Sequence, residues 1–123
     1  MLHQAPFVSG ISTLLPAGKA KWVADLSTSN EIIRHDVKTT TLSTEIAANG
    51  IAVVDMLKID VEGHFLEVLA GLSDADYARV RNMVIEVDYS EQACASPAEV
   101  AAMLAARGYT TEVDDMTLYA WRR

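Results

Sequence analysis

The stretch from residue 56 to residue 87 limits the fold more than any other part of the chain. Met56 to Val61 alternates as a strand does, with Ile59 and Val61 on one face and Lys58 and Asp60 on the other. Gly63 ends the run. Phe65, Val68, Leu69 and Leu72 then recur at i, i+3, i+4 and i+7, the stripe of an amphipathic helix lying back on a sheet. Ser73-x-x-Asp76 has the form of an N-cap for a further short helical piece, and Asn82 to Val87 (NMVIEV) makes a second compact strand. Strand, helix, strand in that order predicts a parallel pair joined by a right-handed crossover.

Length decides how much can surround that unit. The chain has 123 residues. At roughly 30 residues or more per βαβ step, it is one α/β domain of about four strand-plus-helix steps, whereas a full doubly wound dinucleotide-binding sheet takes about six strands. Residues 1–36 are rich in Ser, Thr, Gly and Pro without a sustained period. They read as a loop-rich segment holding at most a short strand or helix, and residues 37–123 carry the ordered domain. Lys38 to Thr41 is β-prone. Leu42 to Ala48 follows as a short helix with Thr41 as N-cap and Asn49-Gly50 as its stop, because glycine accepts φ > 0. Ser96-Pro97-Ala98-Glu99 is a capping box with proline at the first helical position, and Val100, Met103, Leu104 and Arg107 carry that helix towards Gly108. Tyr109 to Val113 and Leu118 to Trp121 then close the chain as an antiparallel hairpin around Asp114 to Thr117.

Ten Lys and Arg stand against 17 Asp and Glu, a formal net charge of −7. Neutralising phosphates takes clustered cations, and the only adjacent basic pair is Arg122-Arg123, so no nucleic-acid partner is expected. The single Cys94 excludes a disulfide framework and a multi-Cys zinc site. Asp55, Lys58 and Asp60 interrupt the longest apolar region short of the roughly 18 residues of a membrane span. Phe7 to Leu15 has no basic flank and is broken by Gly10 and Pro16, so no signal peptide is read. The expected setting is cytoplasmic, with no membrane contact.

In open parallel sheets, ligands sit beyond the carboxyl ends of the strands. Asp60 and Glu62 follow the first strand, Glu86 and Asp88 end the second, and His64 lies one step further. Neighbouring strands run about 4.8 Å apart, so these groups can converge on one bound molecule. Lys58 and Asp60 are unexpected inside such a strand, because sheets covered by helices on both faces read as apolar runs. The plain alternative is that Lys58 snorkels to an edge while Asp60 caps the helix that follows. No Gly-rich phosphate loop is present, and Ser9, Ser12 and Ser43 lack a G-x-S-x-G context. His3 and His35 read as surface or loop positions. Two carboxylates at adjacent strand ends are of the hard-oxygen type that Mg²⁺ prefers, but no third ligand is fixed by spacing, so no metal is assigned.

Asp55 to Gly71, DMLKIDVEGHFLEVLAG, resembles the signature of the FkbM family of S-adenosylmethionine-dependent methyltransferases. Ser9-Gly10-Ile11-Ser12-Thr13-Leu14 is similar to that family's Ser-Gly-x-Ser-Ser-Leu segment, and Val37 to Leu42 to the strand leading into its Leu-Asp helix. Val84-Ile85-Glu86-Val87, Arg107-Gly108-Tyr109 and Leu118-Tyr119-Ala120 fall where the family has its later elements. Ser43 stands where the family commonly has Asp. The resemblance implies the C-terminal half of a class I methyltransferase domain: a partial Rossmann-like sheet of parallel strands with crossover helices and a closing hairpin. The family's Gly-rich turn and the acidic residue that hold the methionine and ribose of the cofactor have no counterpart in this sequence.

It further implies O-methylation of a small-molecule or sugar hydroxyl with S-adenosylmethionine as donor. Asp60 is the expected base or acceptor-orienting group, Glu62 and His64 are its companions, and Glu86 supports them from the neighbouring strand. One expectation is a methyltransferase whose activity needs an N-terminal half supplied elsewhere. The other is a non-catalytic remnant or assembly module that keeps the half-sheet and binds a protein partner. In both cases the strand Met56 to Val61 becomes a sheet edge, which favours a homo-oligomer.

Overall fold

Thr41 opens the first helix of the larger unit because its hydroxyl accepts the Thr44 backbone N–H at 3.1 Å. The computed structural model describes residues 2–4, 12–13, 33–35, 37–61, 63–87 and 95–123. Two compact units are present, Met1–Thr39 and Thr40–Arg123.

In the first unit, β1 (Leu2–Gln4) pairs antiparallel with both β2 (Ser12–Thr13) and β3 (Ile33–His35), in the order β2-β1-β3. These strands lie where the sequence reads as loop. Two or three residues are too few to display a period, so such pairing is invisible to patterning.

The second unit begins with α1 (Leu42–Ala48), which ends at Asn49; Gly50 follows at φ 61°, a value that carries no Cβ penalty there. Residues 37–41 form no strand, against the β-prone reading of Lys38 to Thr41; Thr41 is instead committed to capping α1. Then come β4 (Leu57–Ile59), α2 (Phe65–Ala70), α3 (Asp74–Tyr77) and β5 (Asn82–Glu86). The chain ends with α4 (Pro97–Ala105), β6 (Thr110–Asp114) and β7 (Thr117–Trp121). β4 is shorter than the predicted Met56 to Val61, though a parallel bridge between Val54 and Val80 extends the pairing backwards.

The four-stranded sheet has the order β4-β5-β7-β6. β4 and β5 are parallel, as strand-helix-strand predicts, and the β5–β7 and β7–β6 pairs are antiparallel. The sheet is therefore mixed: it joins the expected parallel pair and the expected closing antiparallel hairpin, with β7 taking the place beside β5. At the hairpin's turn Asp115 adopts φ 52°, a conformation that Asp tolerates better than most residues.

One contiguous core forms on a single face of this sheet. Ile59, Met83, Ile85, Leu118 and Ala120 supply the strand side, and Ile46, Phe65, Leu69, Tyr77, Val100 and Leu104 supply the helices. The capping box at Ser96 forms in full: Ser96 Oγ accepts the Glu99 N–H, and Glu99 Oε2 accepts the Ser96 N–H at 2.7 Å. Tyr109 locks the C-terminal region to the core, its hydroxyl donating to the carbonyls of Tyr77 and Val80 at 2.7 and 2.8 Å. Burial raises the pKa of both tyrosines, and the guanidinium groups of Arg107 and Arg122 stack over the Tyr77 and Tyr109 rings.

Candidate functional site

The opposite face of the sheet is polar and open among the described residues. The register aligns Lys58, Val84, Tyr119 and Glu112 in one row, and Glu86, Thr117 and Asp114 in the next. All of them are exposed or half-buried. This is why Lys58 and Asp60 can occur in the strand: β4 buries Ile59, 1% exposed, towards the helices and turns its neighbours towards solvent.

Asp60 follows β4 directly and lies back on the Lys58 face. Lys58 Nζ donates to Asp60 Oδ2 at 2.7 Å, with the two side chains 66% and 42% exposed. At that exposure solvent screens the pair, so its consequence is orientation rather than stability. Continuing the parallel register past Ile59 opposite Ile85 brings Asp60 level with Glu86, the last residue of β5. The Lys58 hydrogen bond holds the Asp60 carboxyl below the ordinary carboxylate range, outweighing the opposing effect of desolvation. Reciprocally, the hydrogen bond to Asp60 raises Lys58, and the charges of Asp60 and Glu86 add to that. An ionised carboxylate beside an ammonium is a strong hydrogen-bond acceptor and a weak base, which suits Asp60 to orienting a hydroxyl.

The expectation that Asp60 caps the next helix is not met, because its carboxylate is taken by Lys58. The N-cap of α2 is His64, whose side chain makes no capping bond. A tight turn brings His64 there: its N–H donates to the Val61 carbonyl at 3.2 Å, and Gly63 takes φ 93°, which a side chain would resist. His64 Nδ1 lies 3.6 Å from Glu67 Oε1, and the imidazole is 19% exposed. Its Nε2 is closed off from solvent and has no hydrogen-bond partner among the described residues. Leaving a buried polar atom unpaired costs about 1–3 kcal/mol.

The structure thus brings Asp60, Lys58 and Glu86 together on the open face and sets His64 in the turn beyond β4. Glu62, Asp88 and Cys94 lie outside the described residues, while His3 and His35 fall in β1 and β3. Among the described residues no group of three His, Cys, Asp or Glu could hold a metal ion, and no helix is long and apolar enough to cross a membrane. Sequence reasoning missed Glu67, although its i+3 spacing from His64 was visible. It also left Ser43 without a role. Ser43 Oγ donates to Asp76 Oδ2 at 2.5 Å and accepts the Ser73 N–H at 2.8 Å, tying the start of α1 to the start of α3.

The methyltransferase FkbM domain matches residues 6–111. The 31-O-demethyl-FK506 methyltransferase FkbM of Streptomyces tacrolimicus is 43% identical over 79 residues, 64% of this chain and 29% of that protein. Methyltransferase sdnD of Sordaria araneosa is 32% identical over 99 residues, covering 66% of this chain and 38% of that protein. The AMB antimetabolite synthetase AmbE of Pseudomonas aeruginosa is 38% identical over 74 residues, which is 59% of this chain and 4% of the synthetase. The chain spans at most 38% of the length of these curated relatives. No solved structure matches it significantly.

Proposed function

The chain belongs to the FkbM methyltransferase family, and from that membership we propose that it serves S-adenosylmethionine-dependent O-methylation of a small-molecule or sugar hydroxyl. Oxygen as the acceptor atom is supported by the relative named for a 31-O-demethyl compound. The observation that carries the reading is Asp60, ionised beside Lys58 and level with Glu86 at the carboxyl ends of a parallel strand pair. S-adenosylmethionine supplies a methyl group on a positively charged sulfur. Asp60 and Glu86 fit the cationic end of that molecule by charge. The sequence contains no Gly-rich turn of the kind that holds the methionine and ribose in the family, and we assign that turn to polypeptide supplied together with these residues.

Alignment of the acceptor is the main task of the chain, since an in-line displacement depends on the position of the attacking oxygen. Asp60 accepts the hydrogen bond of the incoming hydroxyl and fixes its lone pair. Lys58 keeps the carboxylate charged and in place. A second reading, a non-catalytic module that binds a protein, is favoured by the end-strand position of β4.

Transfer of labelled methyl groups to a polyol or macrolide hydroxyl separates the two readings, measured with the N-terminal half of a family member supplied. Asp60→Asn should lower turnover at least tenfold with an unchanged denaturation midpoint. Equal turnover for the variant removes Asp60 from the chemistry, and no transfer by either form favours the protein-binding module.

A further inference from the structure

We propose that two copies of this chain pair antiparallel through β4 in a single register, Ile59 against the partner's Ile59, so that each Lys58 faces the carboxylate of the partner's Asp60. The inference concerns the edge of the sheet and does not rest on the methyltransferase reading. β4 is the end strand. Which of its backbone groups face outward follows from the bridge that precedes it. Val54 N–H donates to the Arg79 carbonyl at 2.9 Å and the Val54 carbonyl accepts the Arg81 N–H at 2.8 Å, so Val54 turns both groups towards the β5 side. The register keeps the same offset from Val54 opposite Val80 to Ile59 opposite Ile85. Facing residues alternate along such a pair, so Lys58 also faces β5, while Leu57 and Ile59 direct their N–H and C=O groups away from it. Among the described residues no strand takes them.

A second copy of the same edge supplies what these groups lack. Two copies that keep their core faces on one side are related by a two-fold axis normal to the sheet, and their β4 strands run antiparallel. Any register that sets core-face residues opposite open-face residues puts apolar against polar and fails on that ground. Among the others, centring on Lys58 sets ammonium against ammonium and centring on Asp60 sets carboxylate against carboxylate, both unfavourable for residues directly opposite. Centring on Leu57 leaves Lys58 opposite the partner's Met56, with no charge to meet. Centring on Ile59 differs from all of these. Ile59 then exchanges both N–H···O bonds with the partner's Ile59, and half-buried Leu57 comes opposite the partner's Val61, itself half-buried. Lys58 comes opposite the partner's Asp60 and Asp60 opposite the partner's Lys58, in the non-hydrogen-bonded positions where side chains approach most closely. Lys58-Ile59-Asp60 exchanges its two charges when read backwards, so this edge is its own complement. The pairing also reaches the candidate site, because the partner's Lys58 becomes a second cation beside the Asp60 carboxylate that Lys58 already holds at 2.7 Å.

The test is sedimentation equilibrium of the full chain, of Lys58→Asp, of Asp60→Lys, and of an equimolar mixture of the two variants. In either variant alone the opposed positions carry like charges, and dimerisation should weaken by roughly tenfold or more. In the mixture every opposed pair again joins an anion to a cation. A heterodimer close to wild-type affinity is expected there, and a homodimer of similar affinity for the double variant Lys58→Asp/Asp60→Lys. Both side chains are exposed, at 66% and 42%, so the denaturation midpoint of each variant should stay where it is and show that the chain is folded. Amide exchange locates the contact, since the Ile59 N–H should become protected as the dimer forms. A wild-type chain that stays monomeric at every concentration overturns the proposal, as does a dimer whose affinity neither charge reversal changes. Two weakened variants that fail to associate when mixed overturn the register. An Ile59 amide that exchanges fast within the dimer overturns β4 as the contact. Each readout is independent of methyl transfer, so failure of the dimer leaves the functional reading standing, and failure of the functional reading leaves the dimer.

Discussion

Ser43 shows how a single hydroxyl sets the chemistry of a distant side chain. It donates to Asp76, as does Ser73 at 2.7 Å, and these two hydrogen bonds, Ser43's the stronger, hold the Asp76 carboxyl below the ordinary range. A carboxylate whose folded-state pKa is lowered contributes stability above its unfolded value, and that contribution is lost as pH falls through the folded value. For this group the window lies below about pH 4. Ser43→Ala should move the Asp76 titration upwards and make the chain lose stability at a higher pH during acidification. Carbon-13 chemical shifts of the Asp76 carboxyl followed from pH 6 to 2 check this, and an unmoved titration shows that Ser73 alone sets it. A carboxylate side chain at position 43 would stand against Asp76 as a second negative charge. Serine avoids that repulsion and keeps the two helix starts joined.

α4 separates two kinds of stabilisation within one element. Leu104 is fully buried against the sheet, so Leu104→Ala leaves a cavity and should destabilise by about 2 to 5 kcal/mol. Ser96 caps the same helix at its exposed start, where loss of the side-chain acceptor should cost only about 1 kcal/mol. Urea denaturation of Leu104→Ala and Ser96→Ala gives the ordering directly; a worse outcome for the cap variant means that the buried face of α4 is misassigned. The closing hairpin matters for a different reason. By pairing β7 with β5 it makes β5 an interior strand, and Glu86 is thereby held at a fixed height beside Thr117.

At the scale of the molecule, β4 is the end strand of the four-stranded sheet. Its outer N–H and C=O groups have no strand partner among the described residues, and Met56 beside it is 58% exposed. An end strand of this kind is a template for pairing with another chain, which a single lysine blunts only modestly. The chain should therefore self-associate as its concentration rises, despite the formal net charge of −7 that opposes contact between copies. Sedimentation across a hundredfold range of concentration tests this. A compact monomer throughout, with slow amide exchange at residues 56–61, overturns the exposed-edge prediction.

Local rules made much of this protein legible in its sequence. The period-two alternation around Ile59, the stripe from Phe65 to Leu72, the caps at Thr41, Ser73 and Ser96 and the closing hairpin each depend on residues a few positions apart. Asp60, His64 and Glu86 stand out in the sequence only as candidates, through the charge anomaly in an apolar strand and the placement of ligands at strand ends. Their partners are not legible there. That Asp60 meets Lys58 rather than a helix start, and that the polar sheet face is open among the described residues, are facts of packing. The Ser43–Asp76 bond joins residues 33 apart and the Tyr109–Tyr77 bond residues 32 apart. Periodicity reports which face of an element is apolar. What that face or its opposite touches depends on how the elements are arranged, so only the tertiary structure decided it.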